Sequence, residues 1–211
     1  RRLMDSHAIM LRSLPSMIAV LLALASAACA ADGSDTDAEA TAGSTTSTAP
    51  TSGGEIDLTC ASYCTAITAH CTAGNAQYTG MTTCMGSCQA LAVGAAADIA
   101  GNSLGCRLYH ANVAKDAPDV HCPHAGPGGA DVCGSNCDGF CTIAADACPG
   151  TFADDAACQA ACAGYDKVEA YDAADMAGDS FACRLYHLTV ASTPLAMHCP
   201  HILPDSAPCG G

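Results

Sequence analysis

The sequence predicts an all-α protein in which two small, disulfide-stapled helical units follow a disordered tether. Two short sequence motifs occur twice: Cys-Arg-Leu-Tyr-His at 106–110 and 183–187, and Cys-Pro-His at 122–124 and 199–201. Both matches are offset by 77 residues, and a fixed offset of this kind indicates an internal duplication. The 211 residues also include 17 cysteines, about 8% of the chain, a share that is typical of a disulfide scaffold.

The composition explains why such units need covalent support. The chain has no tryptophan and only six tyrosines and three phenylalanines, and much of its apolar content is alanine and cysteine. Because small side chains bury little area, hydrophobic burial alone would stabilise these units poorly. The formal charge of −14 argues against nucleic acids and anionic membrane surfaces as partners.

Residues 1–29 resemble a bacterial lipoprotein signal. An apolar run at 17–24 (MIAVLLAL) is too short to span a bilayer, and small residues then lead to Cys29. The resemblance implies lipidation of Cys29 and a place at the bacterial outer membrane or cell surface. The alternative is ordinary secretory cleavage near Ala27 or Ala30, which would leave a periplasmic or secreted protein.

The segment 30–56 is predicted to be a disordered linker. It consists mainly of Ser, Thr, Gly, Ala and acidic residues, with almost no large apolar side chain, so it cannot bury enough surface to offset the entropy of ordering. Behind a lipidated cysteine it would act as a tether that lifts the folded part off the membrane. An O-glycosylated stalk is the alternative.

The remaining chain divides into a first repeat at 57–133 and a second at 134–211, with eight cysteines in each. Without Cys29 the count is even, so we expect eight disulfides, four inside each repeat. The cysteines are Cys60, Cys64, Cys71, Cys84, Cys88, Cys106, Cys122 and Cys133, then Cys137, Cys141, Cys148, Cys158, Cys162, Cys183, Cys199 and Cys209. Aromatic residues match as well, Tyr63 with Phe140 and Tyr78 with Phe152, and are expected to fill each core.

Each repeat opens with two C-x3-C motifs. Cysteines four residues apart lie on one face of a helix, and the segments around these motifs in the first repeat, 58–71 and 82–92, contain no proline. This arrangement resembles the helical hairpins with twin C-x3-C motifs found in small secreted and intermembrane-space proteins. The resemblance implies that Cys60 and Cys64 pair with Cys84 and Cys88. A zinc site made by four cysteines is the alternative, but exported thiols oxidise.

The best-matched segments, 100–110 and 177–187, predict a third helix in each repeat. Asn102 and Asp179 fit its N-cap, and the helix is expected to end near Lys115 and Ser192. In the first copy the spacing places Cys106, Tyr109, His110 and Val113 on one face, with Arg107 and Leu108 pointing elsewhere. Because Pro123 favours extended backbone before it, the following His-Cys-Pro-His segment is expected to be a turn.

Three histidines match between the repeats: His110, His121 and His124 with His187, His198 and His201. The other histidine of the repeats, His70, aligns with Ala147 and is therefore interpreted as incidental. A histidine that occurs at the same position in both repeats is expected to have a role in each of them. That role is either structural, such as a hydrogen bond to a carbonyl, or the binding of copper or zinc, for which imidazole is a good ligand.

Catalytic patterns are weak. There is no Cys-x-x-Cys-His for covalent haem, no unpaired cysteine for a thiol nucleophile, and no Gly-x-Ser-x-Gly elbow. We therefore expect a non-enzymatic cell-surface or secreted binding module without a cofactor. Its partner would be a protein or surface ligand, and only the lipid anchor would contact a membrane. A copper- or zinc-binding protein is the first alternative, and an inhibitor or toxin-like helical hairpin is the second.

Overall fold

The computed structural model describes residues 57–167 and 170–210. The predictions made for the signal segment 1–29, for lipidation of Cys29 and for the linker 30–56 lie outside these residues. Every regular element in the described part is helical and no strand occurs there, which confirms the all-α prediction. None of the helices found in these two ranges has both the length and the apolar content needed to cross a membrane.

Among the described residues, the two repeats have the same order of main elements, and the first has an additional short 3-10 helix after its first helix. The first contains α1 (Cys60–His70), a short 3-10 helix (Ala73–Asn75), α2 (Met81–Cys88), α3 (Leu104–Val113) and α4 (Pro118–Ala125). The second contains α5 (Asn136–Ala147), α6 (Asp155–Ala163), α7 (Phe181–Ala191) and a terminal 3-10 helix (Ala196–Ile202). Each repeat is thus a helical hairpin, then a longer loop, a third helix and a short fourth helical segment.

The sixteen cysteines of the repeats form eight disulfides, and each bond lies within one repeat. In both repeats the first cysteine pairs with the fifth, the second with the fourth, the third with the seventh and the sixth with the eighth. The bonds are Cys60–Cys88, Cys64–Cys84, Cys71–Cys122 and Cys106–Cys133, then Cys137–Cys162, Cys141–Cys158, Cys148–Cys199 and Cys183–Cys209. The nested first two bonds staple each hairpin in antiparallel orientation.

The third helix of each repeat begins one residue later than predicted. The hydroxyls of Ser103 and Ser180 accept the backbone N–H three residues ahead, at 3.2 and 3.1 Å, so the N-cap assignments of Asn102 and Asp179 are wrong. Asn102 instead donates to the Thr142 hydroxyl at 3.1 Å. The Asp179 carboxylate accepts from an arginine of α7. Both side chains are therefore used in contacts that local spacing does not reveal.

The face of α3 that the spacing predicts coincides only in part with its buried surface. Tyr109 is 39% exposed, whereas Arg107 is completely buried and Leu108 nearly so. The reason is that α3 packs against α1 on one side and α4 on another, which covers most of its circumference. Its buried surface therefore includes Leu104 and Ala111 in addition to the predicted Cys106 and His110.

The His-Cys-Pro-His segment of the first repeat is helical, so the expectation of a turn is wrong. Pro118 occupies the first turn of α4, where a missing N–H costs nothing. Pro123 lies inside the helix, but in eight residues it removes a single backbone hydrogen bond, and the disulfide of Cys122 fixes the segment to the end of α1. The histidines on either side, His121 and His124, are thus one helical turn apart on one face.

Both repeats contribute to one hydrophobic core. The matched aromatics pack in pairs, with ring centroids 6.2 Å apart for Tyr63 and Tyr78 and 6.4 Å for Phe140 and Phe152. Between the repeats, α2 lies so close to the end of α7 that a Cβ on Gly86 would be 2.1 Å from the Ser192 carbonyl oxygen. The division at residue 133 stays a prediction, since the disulfides respect it while the core crosses it.

Candidate metal centres

Three matched histidines of the first repeat converge at the junction of α3 and α4. His110 projects from the last turn of α3, and His121 and His124 project from one face of α4. The Nδ1 atoms of His110 and His121 are 2.9 Å apart. The ring of His124 lies 5.0 Å from that of His110 and 6.1 Å from that of His121, measured between centroids. One ring nitrogen from each of the three falls within 4.8 Å of the others.

The second repeat builds the same cluster from a different fourth element. His187 projects from α7, while His198 and His201 lie on the terminal 3-10 helix. The Nδ1 atom of His187 is 2.8 Å from that of His198 and 3.2 Å from that of His201. The cluster therefore persists although the supporting segment changes from an α-helix to a 3-10 helix. We call the two clusters the first and second His sites.

The central histidine of each site is oriented by a backbone carbonyl. His110 Nε2 lies 3.2 Å from the Ile99 oxygen, and His187 Nε2 lies 3.2 Å from the Met176 oxygen. Because a carbonyl only accepts, Nε2 carries the proton in each neutral ring, and Nδ1 is left with its lone pair facing the other two imidazoles. Metal-binding histidines commonly donate their second ring N–H in this way.

The first His site also contains an unsatisfied nitrogen. His124 Nδ1 is buried and has no hydrogen-bond partner among the described residues. A buried polar atom without a partner destabilises a fold by roughly 1–3 kcal/mol, so such atoms often mark a missing water or ion. His124 shares its face of α4 with His121, and both face His110.

The electrostatic setting favours neutral imidazoles, which is the form that binds metals. Burial is the main cause that lowers the pKa of His110, His124, His187 and His198 below the ordinary value. The neighbouring imidazoles act in the same direction, because two protonated rings at this distance repel each other. The carbonyl contact of each central histidine works against this shift without reversing it.

Disulfides fix the elements that carry these histidines. Cys106–Cys133 fastens α3 one turn before His110, and Cys71–Cys122 fastens α4 between His121 and His124. The sulfurs of Cys106 and Cys133 also lie within 4.8 Å of a ring nitrogen of His110. Since they are bonded to each other, they hold the ligand set in place and do not themselves supply thiolates.

Two arginines that were not among the predicted site residues also hold the helices of the His sites in place. Arg107 donates from Nε to the Gly126 oxygen at 3.1 Å and from Nη2 to the Pro127 oxygen at 3.3 Å, and thereby ties α3 to the chain leaving α4. Arg184 makes the equivalent bonds to the carbonyls of Leu203 and Pro204. The sequence could have identified these residues, because both arginines belong to the repeated Cys-Arg-Leu-Tyr-His motif.

Comparison with known proteins places the chain in a family. A family model described as the BfoA family C-terminal domain matches residues 24–138, which is 115 of the 211 residues and therefore more than half of the chain. The chain belongs to this BfoA C-terminal domain family. The matched segment contains His110, His121 and His124, so the first His site lies within the family domain.

Individual relatives of this BfoA-family chain come from fungi. It is 37% identical over 65 residues to Aurasperone B biosynthesis cluster protein A of Aspergillus niger, a match that covers 30% of this chain and 21% of the relative. Bifonsecin B biosynthesis cluster protein A of Aspergillus brasiliensis is also 37% identical over 65 residues, covering 30% and 22%. The chain thus spans about a fifth of the length of these curated relatives. No solved structure matches it significantly.

Proposed function

We propose that this chain is an exported, non-enzymatic binding module that holds one transition-metal ion at each His site. The observation that carries the proposal is the convergence of three imidazoles in both repeats, with Nδ1 atoms 2.8–3.2 Å apart across the measured pairs. Metal–nitrogen bonds of about 2.0–2.1 Å in tetrahedral geometry place ligand nitrogens about 3.3–3.4 Å apart. The observed spacing is close enough that small ring shifts would complete the coordination.

The ligand chemistry favours Cu(II) and Zn(II). Imidazole is a borderline ligand that suits both ions, and three histidines leave a fourth position open for water or a ligand from solution. His121 and His124 are only half-buried, so an ion can reach the first site from solvent. The net charge of −14 attracts cations to the surface. Eight disulfides fit an oxidising compartment outside the cytosol, where the thiols do not compete for the metal.

Titration of the oxidised, untagged chain with Cu(II) and with Zn(II) tests this proposal. At pH 7.5 we expect two equivalents to bind, and a single equivalent after His121→Ala/His124→Ala, because that variant leaves the second site complete. Isothermal calorimetry measures the stoichiometry and the dissociation constant. Loss of two imidazole ligands should weaken the first site by at least 100-fold, a factor comparable to or larger than the effect of removing an outer-shell partner.

Two controls distinguish metal binding at the folded His sites from binding by histidine side chains of an unfolded chain. His70→Ala removes a histidine that contacts the Ala111 carbonyl and belongs to neither site, so it should still bind two equivalents. The reduced and alkylated chain keeps every histidine but loses the tethers, and it should bind at least tenfold more weakly. Equal affinity of the oxidised chain and the alkylated chain would refute the proposal and leave the six imidazoles with a structural role.

The dependence on pH has a definite sign. Protons compete with the metal for the imidazole lone pair, so affinity is greatest where all three rings are neutral and falls as pH drops. Because burial lowers the pKa of His110 and His124, this fall should occur below the ordinary imidazole value of about 6.5. We expect full occupancy at pH 7.5 and little binding at pH 5, measured by the same calorimetry. Affinity that stays constant between these values would contradict imidazole ligation.

The proposed location is the cell surface, through lipidation of Cys29. The support is the signal-like segment that precedes it and the even number of cysteines that follows. Cys29→Ala, expressed with the full chain in a bacterial host, should move the protein from the membrane fraction to the soluble fraction on immunoblots. Sedimentation of the variant with membranes, or a mature N-terminus beyond residue 29, would contradict the anchor. The fungal origin of the curated relatives makes this a separate test from metal binding.

A further inference from the structure

The two His sites differ in the side chains that flank them. Two positions beside each site carry apolar residues that match between the repeats at the offset of 77 residues. One, Ile99 or Met176, supplies the backbone oxygen that contacts the central histidine, and we call it the carbonyl position. The other, Val120 or Met197, directly precedes a histidine of the site, and we call it the preceding position. The first repeat thus has two aliphatic side chains at these positions, whereas the second has two thioethers.

All four side chains at these positions are exposed although they are apolar. The exposed fractions are 61% and 54% for Ile99 and Val120, and 55% and 72% for Met176 and Met197. Among the described residues, none of the four belongs to the hydrophobic core or packs against it, whereas Met85 of α2 does pack there. Single exposed apolar residues are common in proteins. Four at matched positions beside two His sites indicate a role at those sites, because they contribute nothing to the core.

The carbonyl position is held against the central histidine of the second site. The Met176 oxygen accepts from His187 Nε2 at 3.2 Å. One ring carbon separates Nε2 from Nδ1, and Nδ1 of His187 faces His198 and His201 at 2.8 and 3.2 Å. The side chain of Met176 therefore starts across one imidazole ring from the proposed metal position. Because methionine is unbranched and has three rotatable bonds, its sulfur can turn toward that position.

The preceding position is held by its neighbour in the sequence. Met197 directly precedes His198 on the terminal 3-10 helix, so its backbone is fixed beside that of a proposed metal ligand. At 72% it is the most exposed large apolar side chain among the described residues. An exposed, flexible side chain gives up little packing when it turns onto an ion. Both thioethers of the second site thus combine a backbone fixed near the histidines with a side chain that is free to move.

The ligand chemistry of the flanking side chains separates the two sites. Imidazole suits both copper and zinc, whereas thioether sulfur is a soft ligand that favours Cu(I). Three histidines leave a fourth coordination position open. At the second site a thioether is available for that position. At the first site the aliphatic side chains have no lone pair, so only water or a solute can occupy it.

We propose that the second His site is a Cu(I) site in which a methionine sulfur, from Met176 or Met197, completes the three-histidine ligand set. The first His site, with Ile99 and Val120 at the equivalent positions, keeps the preference of imidazole for Cu(II) and Zn(II). This inference rests on the proposed function of the His sites in metal binding, and it adds the oxidation state of the ion at one of them. The duplication has then given one chain two metal sites of different chemistry.

Each site is measured alone in the full oxidised chain. His121→Ala/His124→Ala leaves only the second site complete, and His198→Ala/His201→Ala leaves only the first. Cu(I), supplied as its acetonitrile complex under nitrogen, is titrated in competition with the chromogenic chelator bicinchoninate. We expect the second site to bind Cu(I) at least about tenfold more tightly than the first, because even an outer-shell partner of a metal ligand contributes about 10–100-fold to affinity.

Met176→Ile/Met197→Val gives the second site the flanking side chains of the first. Both methionines are exposed, so the variant should fold as the unchanged chain does. It should lose the advantage of about tenfold for Cu(I) and keep its affinity for Zn(II), since the three histidines remain. X-ray absorption of the Cu(I)-loaded second site should show a sulfur neighbour that this variant lacks.

The reciprocal variant and a surface control complete the test. Ile99→Met/Val120→Met, measured with the first site alone, should raise its Cu(I) affinity by about tenfold. Met81→Leu replaces a methionine that is 45% exposed on α2, a helix that carries no ligand of either site. It should leave the Cu(I) affinity of both sites unchanged.

The outcomes distinguish this inference from the proposed function. Equal Cu(I) affinity of the two sites would overturn the inference, as would an unchanged Cu(I) affinity and sulfur signal in the double methionine variant. If two equivalents of Cu(II) or Zn(II) still bind in that case, the proposed function stands without it. Absence of all metal binding by the oxidised chain would contradict the proposed function itself, and the Cu(I) assignment with it.

Discussion

Replacing Cys71 and Cys122 together with alanine should lower the free energy of unfolding by about 4 kcal/mol and abolish metal binding at the first His site. The stability loss follows from the loop that the bond closes, which has a sequence separation of 51 residues. The site loss follows from position, because Cys122 lies on α4 between His121 and His124. Without the bond, the helix that carries both ligands is free to move from the end of α1.

The control for this experiment is Cys60→Ala/Cys88→Ala. That bond closes a separation of 28 residues, so its removal should cost about 3.5 kcal/mol in the same model. It staples α1 to α2 and does not touch the helix that carries the ligands. Urea unfolding measures stability, and copper titration at temperatures where both variants are folded measures the site. Loss of one equivalent in both variants would mean that general stability, not the tether, governs the first site.

Much of the fold was predictable because duplication and cysteine spacing are properties of the chain order. Two copies of the same motifs are expected to form similar units, and cysteines four residues apart share a face when their segment is helical, so the helices followed from the sequence. The stapling of the hairpins followed from the resemblance to proteins with twin C-x3-C motifs. The grouping of His110 with His121 and His124 was predictable from the duplication. The sequence therefore predicted which residues are important to each repeat. It did not predict the contacts that these residues make.

The errors arose where tertiary packing overrides a local rule. Pro123 predicted a turn, but the tether at Cys122 and the packing of α4 on α3 outweigh the single hydrogen bond that proline removes. The spacing placed Tyr109 on one face with Cys106 and His110, whereas α3 exposes Tyr109 and buries Arg107 between its neighbours. The close contact between α2 and the end of α7 was not predictable at all, because it depends on how the second repeat packs against the first.

The buried arginine provides the other large expected effect. Arg107→Met should destabilise the chain by about 3–5 kcal/mol, because three carbonyl oxygens lose a charged donor inside the protein. Arg107 binds the Ser103 oxygen at 3.3 Å in addition to the two carbonyls that follow α4, and it is completely buried. Methionine fills similar space and donates to none of them. The free energy of unfolding in urea is the measurement.

Lys115→Met is the matched control for the loss of one positive charge. Lys115 contacts Asp116 just beyond the end of α3, and exposed ion pairs of this kind contribute about 0–1 kcal/mol. The two variants have the same net charge, so any difference between them reflects burial and hydrogen bonding. Because Arg107 links α3 to the chain after α4, its replacement should also weaken copper binding at the first His site and leave the second unchanged. A stability loss no greater than that of Lys115→Met would show that water or rearranged donors satisfy these carbonyls, and that the repeated arginine does not hold the helices together.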